Sequence, residues 1–174
     1  MSVAAYVVVV ALVALERLAE LVVSRRNLAW ALRRGGFETG RGHFPVMVAL
    51  HTGLLVACVV EVVVADRPFV PVLGWTMLAL LVLTEATRAW VIATLGRQWN
   101  TRVVVVPGLR RVTRGPYRWL SHPNYVVVAV EGVALPLVHT AWVTAVVFTV
   151  LNAALLLLVR IPAEERALAR LRTS

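Results

Sequence analysis

Apolar stretches about as long as a bilayer is thick make up most of this 174-residue chain. A helix that crosses the hydrocarbon core needs about 20 mainly apolar residues. Five spans are read at roughly 3–23, 44–65, 70–95, 125–138 and 141–159. The fourth is short and closes at Pro136, which predicts a tight hairpin with the fifth. With 60% hydrophobic residues, 16% charged and a mean hydropathy of +0.80, the chain has more apolar surface than a soluble domain of this size can hide. The expectation is an all-α integral membrane protein, one domain over 1–174, with about five transmembrane helices. The first apolar stretch has no basic segment before it and contains Glu16, Arg17 and Glu20, so it reads as a retained helix rather than a signal peptide.

All 18 basic residues are arginine, and the formal net charge is +9. A balance so basic could suggest nucleic acid, but its distribution follows topology. Fifteen of the 18 fall in the first loop, the third loop and the C-terminal segment, which lie on one side if there are five spans. Arg67 alone falls in the opposite loops, while Arg17 and Arg88 sit within spans. The positive-inside rule then places the N-terminus outside and the C-terminus in the cytoplasm. Anionic headgroups suffice as partners for this charge. The single cysteine, Cys58, reads as a small buried hydrophobe, and the four scattered histidines show no metal-ligand spacing.

Polar residues at membrane depth are Glu16, Arg17, Glu20, His51, Glu61, Glu85, Arg88, Glu131 and Asn152. A charge at the centre of a spanning helix costs about 2.5–3.5 kcal/mol on insertion scales, so such groups face the bundle interior and pair. Arg17 with Glu20 and Arg88 with Glu85 are three apart and share a helix face. Glu131 has no charged neighbour on its own helix, so it is either protonated or paired with Arg17 or Arg88 from another. Asn27 continues the Glu16–Glu20 face towards the cytoplasmic side.

The third loop reads Gly-Arg-Gln-Trp-Asn-Thr-Arg over 96–102, then Val103–Val106 with strand character, stopped by Pro107-Gly108. Gly115-Pro116 marks another turn, and His122-Pro123 leads into the fourth span with the proline near a first helical position. A helix N-terminus ringed by arginines and a histidine suits an anionic or amphoteric ligand. Beyond the fifth span, Pro162 should kink the helix, and Arg160 and Glu164 are four apart on one face, followed by Glu165.

Gly115-Pro-Tyr117, His122-Pro-Asn-Tyr125 and, one helical hairpin later, Arg160 with Glu164-Glu165 resemble the isoprenylcysteine carboxyl methyltransferase family over about 99–168. The first half is similar to a bacterial branch of that family, through Glu20, Ser24 and Asn27, then Glu38, Gly40, His43, Pro45 and His51. That branch is associated with methylation of long-chain alkylpyrones and related lipidic polyketides. One departure is Ser121, where the family usually has arginine before His-Pro; either Arg118 or Arg114 would then supply the charge, or the cofactor carboxylate would be held differently.

The resemblance implies methyl transfer from S-adenosylmethionine to an oxygen of a lipophilic acceptor, at a cytoplasmic pocket formed by the loop before helix 4 and the segment after helix 5. The acceptor would be isoprenylcysteine-like or a long-chain alkylpyrone, and the oxygen a carboxylate or an acidic enol or phenol. Cofactor-binding residues on this reading are Gly115, Tyr117, His122, Pro123, Asn124, Tyr125, Glu164 and Glu165, with no metal. Glu165 would accept from the ribose hydroxyls, and Glu164 would face the amino group or pair with Arg160. His122 and nearby backbone N–H groups would bind the carboxylate. Tyr117 and Tyr125 would offer aromatic faces to the adenine or, by cation–π attraction, to the sulfonium. Arg160 and Glu164 are the catalytic candidates, Arg160 orienting an anionic acceptor. A phenol or amine acceptor would need a base, from His43, His51 or an intramembrane glutamate. Other readings are a membrane NADPH-dependent reductase, since some sterol-type reductases share a similar C-terminal architecture, and a non-enzymatic transport or assembly protein.

Overall fold

A computed structural model of the chain describes residues 1–39, 42–110 and 112–170, without the side chains of Glu165 and of residues 167–170. Helix α1 spans Val3–Leu32, its first turn capped by Ser2, whose hydroxyl accepts from the Ala5 N–H at 3.2 Å. The sequence predicts a helix ending near residue 23, yet α1 continues through Arg25 and Arg26. Nothing in 24–32 breaks a helix, and the chain turns only at Gly35, where φ is 76°. Helices α2 (His43–Val64), α3 (Pro71–Leu95), α4 (Pro123–Leu137) and α5 (Trp142–Ala154) follow. Pro71 and Pro123 open α3 and α4, where a missing N–H costs nothing.

Helix α5 runs on through a wide π turn at Leu155–Arg160 into α6 (Ile161–Arg170). The irregularity expected at Pro162 takes the form of a widened turn just before it, which gives the proline ring room where an α turn would clash. Strands β1 (Phe37–Thr39) and β2 (Val103–Val105) form an antiparallel ribbon with Phe37 opposite Val105 and Thr39 opposite Val103.

Among the described residues, three helical stretches are long and apolar enough to cross a membrane: His43–Val64, Pro71–Gln98 and Trp142–Glu164. Their outward faces carry exposed apolar side chains such as Val56, Val63, Val82, Leu83 and Val146. This is an integral membrane protein of helical build. The expected hairpin is present: α4 packs on α5 through the turn at 138–141. Gly132 permits that close approach, because a Cβ there would lie 2.2 Å from the Phe148 ring.

The bundle is sealed at one end and hollow at the other. Tyr6, Leu54, Cys58, Val62, Leu81, Leu135, Val138 and Phe148 close the end where α1 starts and α2 finishes. The Tyr6 hydroxyl donates to the Leu135 carbonyl at 3.1 Å. Nearer mid-depth lies a cluster of ion pairs. Arg17 meets Glu85 at 2.7 Å and Glu20 at 3.1 Å, while Arg88 meets Glu85 at 3.3 Å and also Glu131. Both pairs expected within single helices form, and Glu131 pairs across helices with Arg88 and, at 3.7 Å, with Arg17.

Candidate functional site

Past the ion-pair cluster, the described residues enclose a polar cavity and an apolar one. One, of about 140 Å³, is the more polar and lies among the 95–105 segment, the start of α4 and the α5–α6 junction. The other, of about 280 Å³, is mainly apolar and lies among α1, α2, α4 and α5. Trp99, Asn124, Tyr125 and Arg160 belong to the walls of both.

Tyr125 is the centre of that shared wall. Its hydroxyl donates to Glu164 Oε2 at 2.6 Å and accepts from Arg160 Nε at 3.2 Å. Its ring stacks on His122, with centroids 5.3 Å apart and planes at 13°, and the Arg160 guanidinium lies 5.6 Å from its centroid. His122 Nδ1 is 3.7 Å from Glu164 Oε2. The i, i+4 pair that the sequence suggests between Arg160 and Glu164 is thus not direct; the tyrosine hydroxyl stands between them.

Arg160 is only 5% exposed. Its remaining N–H groups meet the Thr101 carbonyl and the Met47 sulfur, and among the described residues no carboxylate forms a salt bridge with it. A cation so buried is favourable only where an anion offsets its lost hydration. Tyr117, on a short 3₁₀ turn at Gly115–Arg118, also lines the polar cavity. Burial first, and then the Glu164 charge, push its phenol up to about 12, so it acts there as a hydroxyl donor.

Of the residues singled out from sequence, Tyr117, His122, Asn124, Tyr125, Arg160 and Glu164 converge on the polar cavity. Gly115 and Pro123 are absent from its wall. Gly115 has φ 57°, and a Cβ there would lie 2.6 Å from Thr94 Oγ1, so it sets the turn against α3. Pro123 is a buried first residue of α4. The Glu165 side chain and Gly40 lie outside the described residues. Ser121 lines the cavity, and among the described residues the cations that share its wall are Arg102 and Arg160; Arg114 and Arg118 are exposed. His51 lines the apolar cavity, and His43 lines neither.

Sequence reasoning passed over Gln98, Asn100 and Arg102, which also wall the polar cavity. Their placement comes from α1. Ser24 meets Asn100 Oδ1 at 2.8 Å and Thr101 Oγ1 at 2.7 Å, and Asn27 donates to the Trp99 carbonyl at 2.7 Å. Arg102 pairs with Glu38 at 2.8 Å across the β ribbon. The signal was the Ser24/Asn27 spacing of one helical turn, which aims both polar side chains at one neighbour.

The chain belongs to the isoprenylcysteine carboxyl methyltransferase (ICMT) family, whose model matches residues 77–170, more than half its length. Membership implies a membrane methyltransferase and disfavours the reductase and transport readings. The chain is also 37% identical over 160 residues to the uncharacterized protein YpbQ of Bacillus subtilis (strain 168), covering 91% of this chain and 94% of that one. No solved structure matches it significantly.

Proposed function

We propose that the protein transfers a methyl group from S-adenosylmethionine to an oxygen of a lipophilic acceptor, a carboxylate or an acidic enol or phenol. The observation that carries this reading is the shared wall: a polar cavity and an apolar one meet at Tyr125 and Arg160. The polar cavity would hold the cofactor, and its donor set fits one. Glu164 offers a carboxylate, His122 and Tyr125 offer stacked rings, and the buried Asn124 Oδ1 has no hydrogen-bond partner. Glu165 would serve the ribose hydroxyls.

Bound there, S-adenosylmethionine supplies an electrophilic methyl on a sulfonium cation. The chain's own residues supply alignment and exclusion of water. Arg160, which has no carboxylate partner among the described residues, would hold the acceptor oxygen as an anion. Tyr125 fixes the guanidinium through its hydroxyl and links it to Glu164, so the two cavities share one rigid hinge of hydrogen bonds. The apolar cavity would take the acceptor's lipid body, as an isoprenylcysteine-like or alkylpyrone-like acceptor requires. Arginine distribution supports five crossings, counting α1 and α4, with the N-terminus outside and the site cytoplasmic.

Thermal unfolding of the detergent-purified protein tests the cofactor. S-adenosylmethionine and S-adenosylhomocysteine should each raise stability, by about 2.7 kcal/mol at a hundred times Kd. Glu164→Ala and Glu165→Ala should reduce the effect. Stabilisation by NADPH alone would overturn the reading.

A further inference from the structure

Among the polar side chains of the apolar cavity, His51 and Asn152 hold neither the cofactor nor the reacting oxygen in the function proposed above. Asn152 is 3% exposed, and its amide oxygen has no hydrogen-bond partner. In a hydrocarbon setting an amide left unpaired is costly, and neighbouring lipid cannot satisfy it. His51 Nδ1 lies 2.8 Å from the Met47 carbonyl. A carbonyl only accepts, so this bond holds a proton on Nδ1; when the ring is neutral, Nε2 carries the lone pair. The His51 ring meets the Phe148 ring edge-on, 5.4 Å between centroids, and Phe148 is one turn before Asn152 on α5. The two groups therefore occupy neighbouring places on the facing walls of α2 and α5. Arg17, Glu20 and Arg88 reach the same cavity but are engaged in ion pairs with one another or with Glu85 and Glu131.

We propose that Asn152 and His51 form a polar subsite for a hydroxyl group carried on the apolar body of the acceptor. A hydroxyl meets both walls, donating to Nε2 or to the amide oxygen and accepting from the amide nitrogen. Asn152 precedes Arg160 by eight residues on a continuous helix, a separation of roughly 10–12 Å. An extended chain covers that in roughly eight to ten bonds. The preferred acceptor is thus a lipid hydroxylated near mid-chain rather than one with a plain hydrocarbon tail. This rests on the methyl-transfer reading for which end of the lipid faces Arg160.

The test uses the full-length protein in detergent, loaded with S-adenosylhomocysteine, with octadecanoate and 10-hydroxyoctadecanoate as probes. Wild type should bind the hydroxy acid about tenfold more tightly. Asn152→Leu and His51→Phe should each remove that preference while S-adenosylhomocysteine still raises their melting temperature, which shows them folded. Equal affinity of wild type for the two acids, no binding of either, or a preference retained in both variants would overturn the proposal. Absence of S-adenosylhomocysteine binding in wild type counts against the methyl-transfer reading instead, and the hydroxyl preference is then read from the same titrations without it.

Discussion

Tyr125 accepts a hydrogen bond from a cation and donates one to an anion through a single oxygen. Tyr125→Phe keeps the ring, its stack on His122 and its contact with the guanidinium, and removes only that link. Hydrogen bonds to charged groups contribute about 1.5–3 kcal/mol, so methyl transfer should fall by ten- to a hundredfold in kcat/KM. An assay with labelled cofactor and unchanged kcat/KM would show that the hydroxyl does not position Arg160. Ser24 acts one step further back: it holds Thr101, whose carbonyl holds Arg160. Ser24→Ala should weaken S-adenosylhomocysteine binding severalfold and cost about 1 kcal/mol of stability; an effect on stability alone would limit Ser24 to the fold. Neither role was legible from the motif, which showed the tyrosine as an aromatic face and the serine as a spacing.

At the scale of elements, the sealed end of the bundle depends on one carboxylate. Glu61, near the end of α2, accepts from the Val143 N–H at 3.1 Å and from both the N–H and the hydroxyl of Thr144 at 2.7 Å. It also pairs with Arg67 at 2.8 Å. It caps the first turn of α5 from another helix, where the helix dipole favours negative charge. Glu61→Ala should lower stability by about 1–2 kcal/mol in thermal unfolding, with S-adenosylhomocysteine affinity unaltered because the proposed site lies at the other end. A lowered affinity would mean that the two ends are coupled. The helices themselves were readable from apolar length, with α2 and α3 placed within a residue or two. The end of α1 was missed, because two arginines look like the start of a loop when nothing shows that the helix continues into a polar layer. The π turn was missed as well: Pro162 marks trouble for an α-helix, and packing decides where the helix opens.

At the scale of the molecule, the arginines and the interior ion pairs divide the charge by function. On the proposed topology those in loops orient the chain, and Arg17 and Arg88 bind helices together through Glu20, Glu85 and Glu131. The orientation is open to direct measurement, because Cys58 is buried and gives little background to thiol labelling. In intact cells a membrane-impermeant maleimide should label Ser2→Cys. Thr113→Cys should react only after the membrane is opened. Labelling in the reverse order would invert the topology and place the polar cavity outside.

The sequence by itself determined that the chain belongs in a membrane, that its interior charges pair, and which short motifs surround the polar cavity. The first two follow from composition and from the cost of charge in hydrocarbon, and the motifs from the family resemblance. The tertiary structure alone decided that Glu131 crosses to Arg88, that Tyr125 separates Arg160 from Glu164, and that the polar and apolar cavities share a wall. These are contacts between segments far apart in sequence. Their geometry depends on how helices cross and which glycines let them approach, which no local pattern of residues encodes.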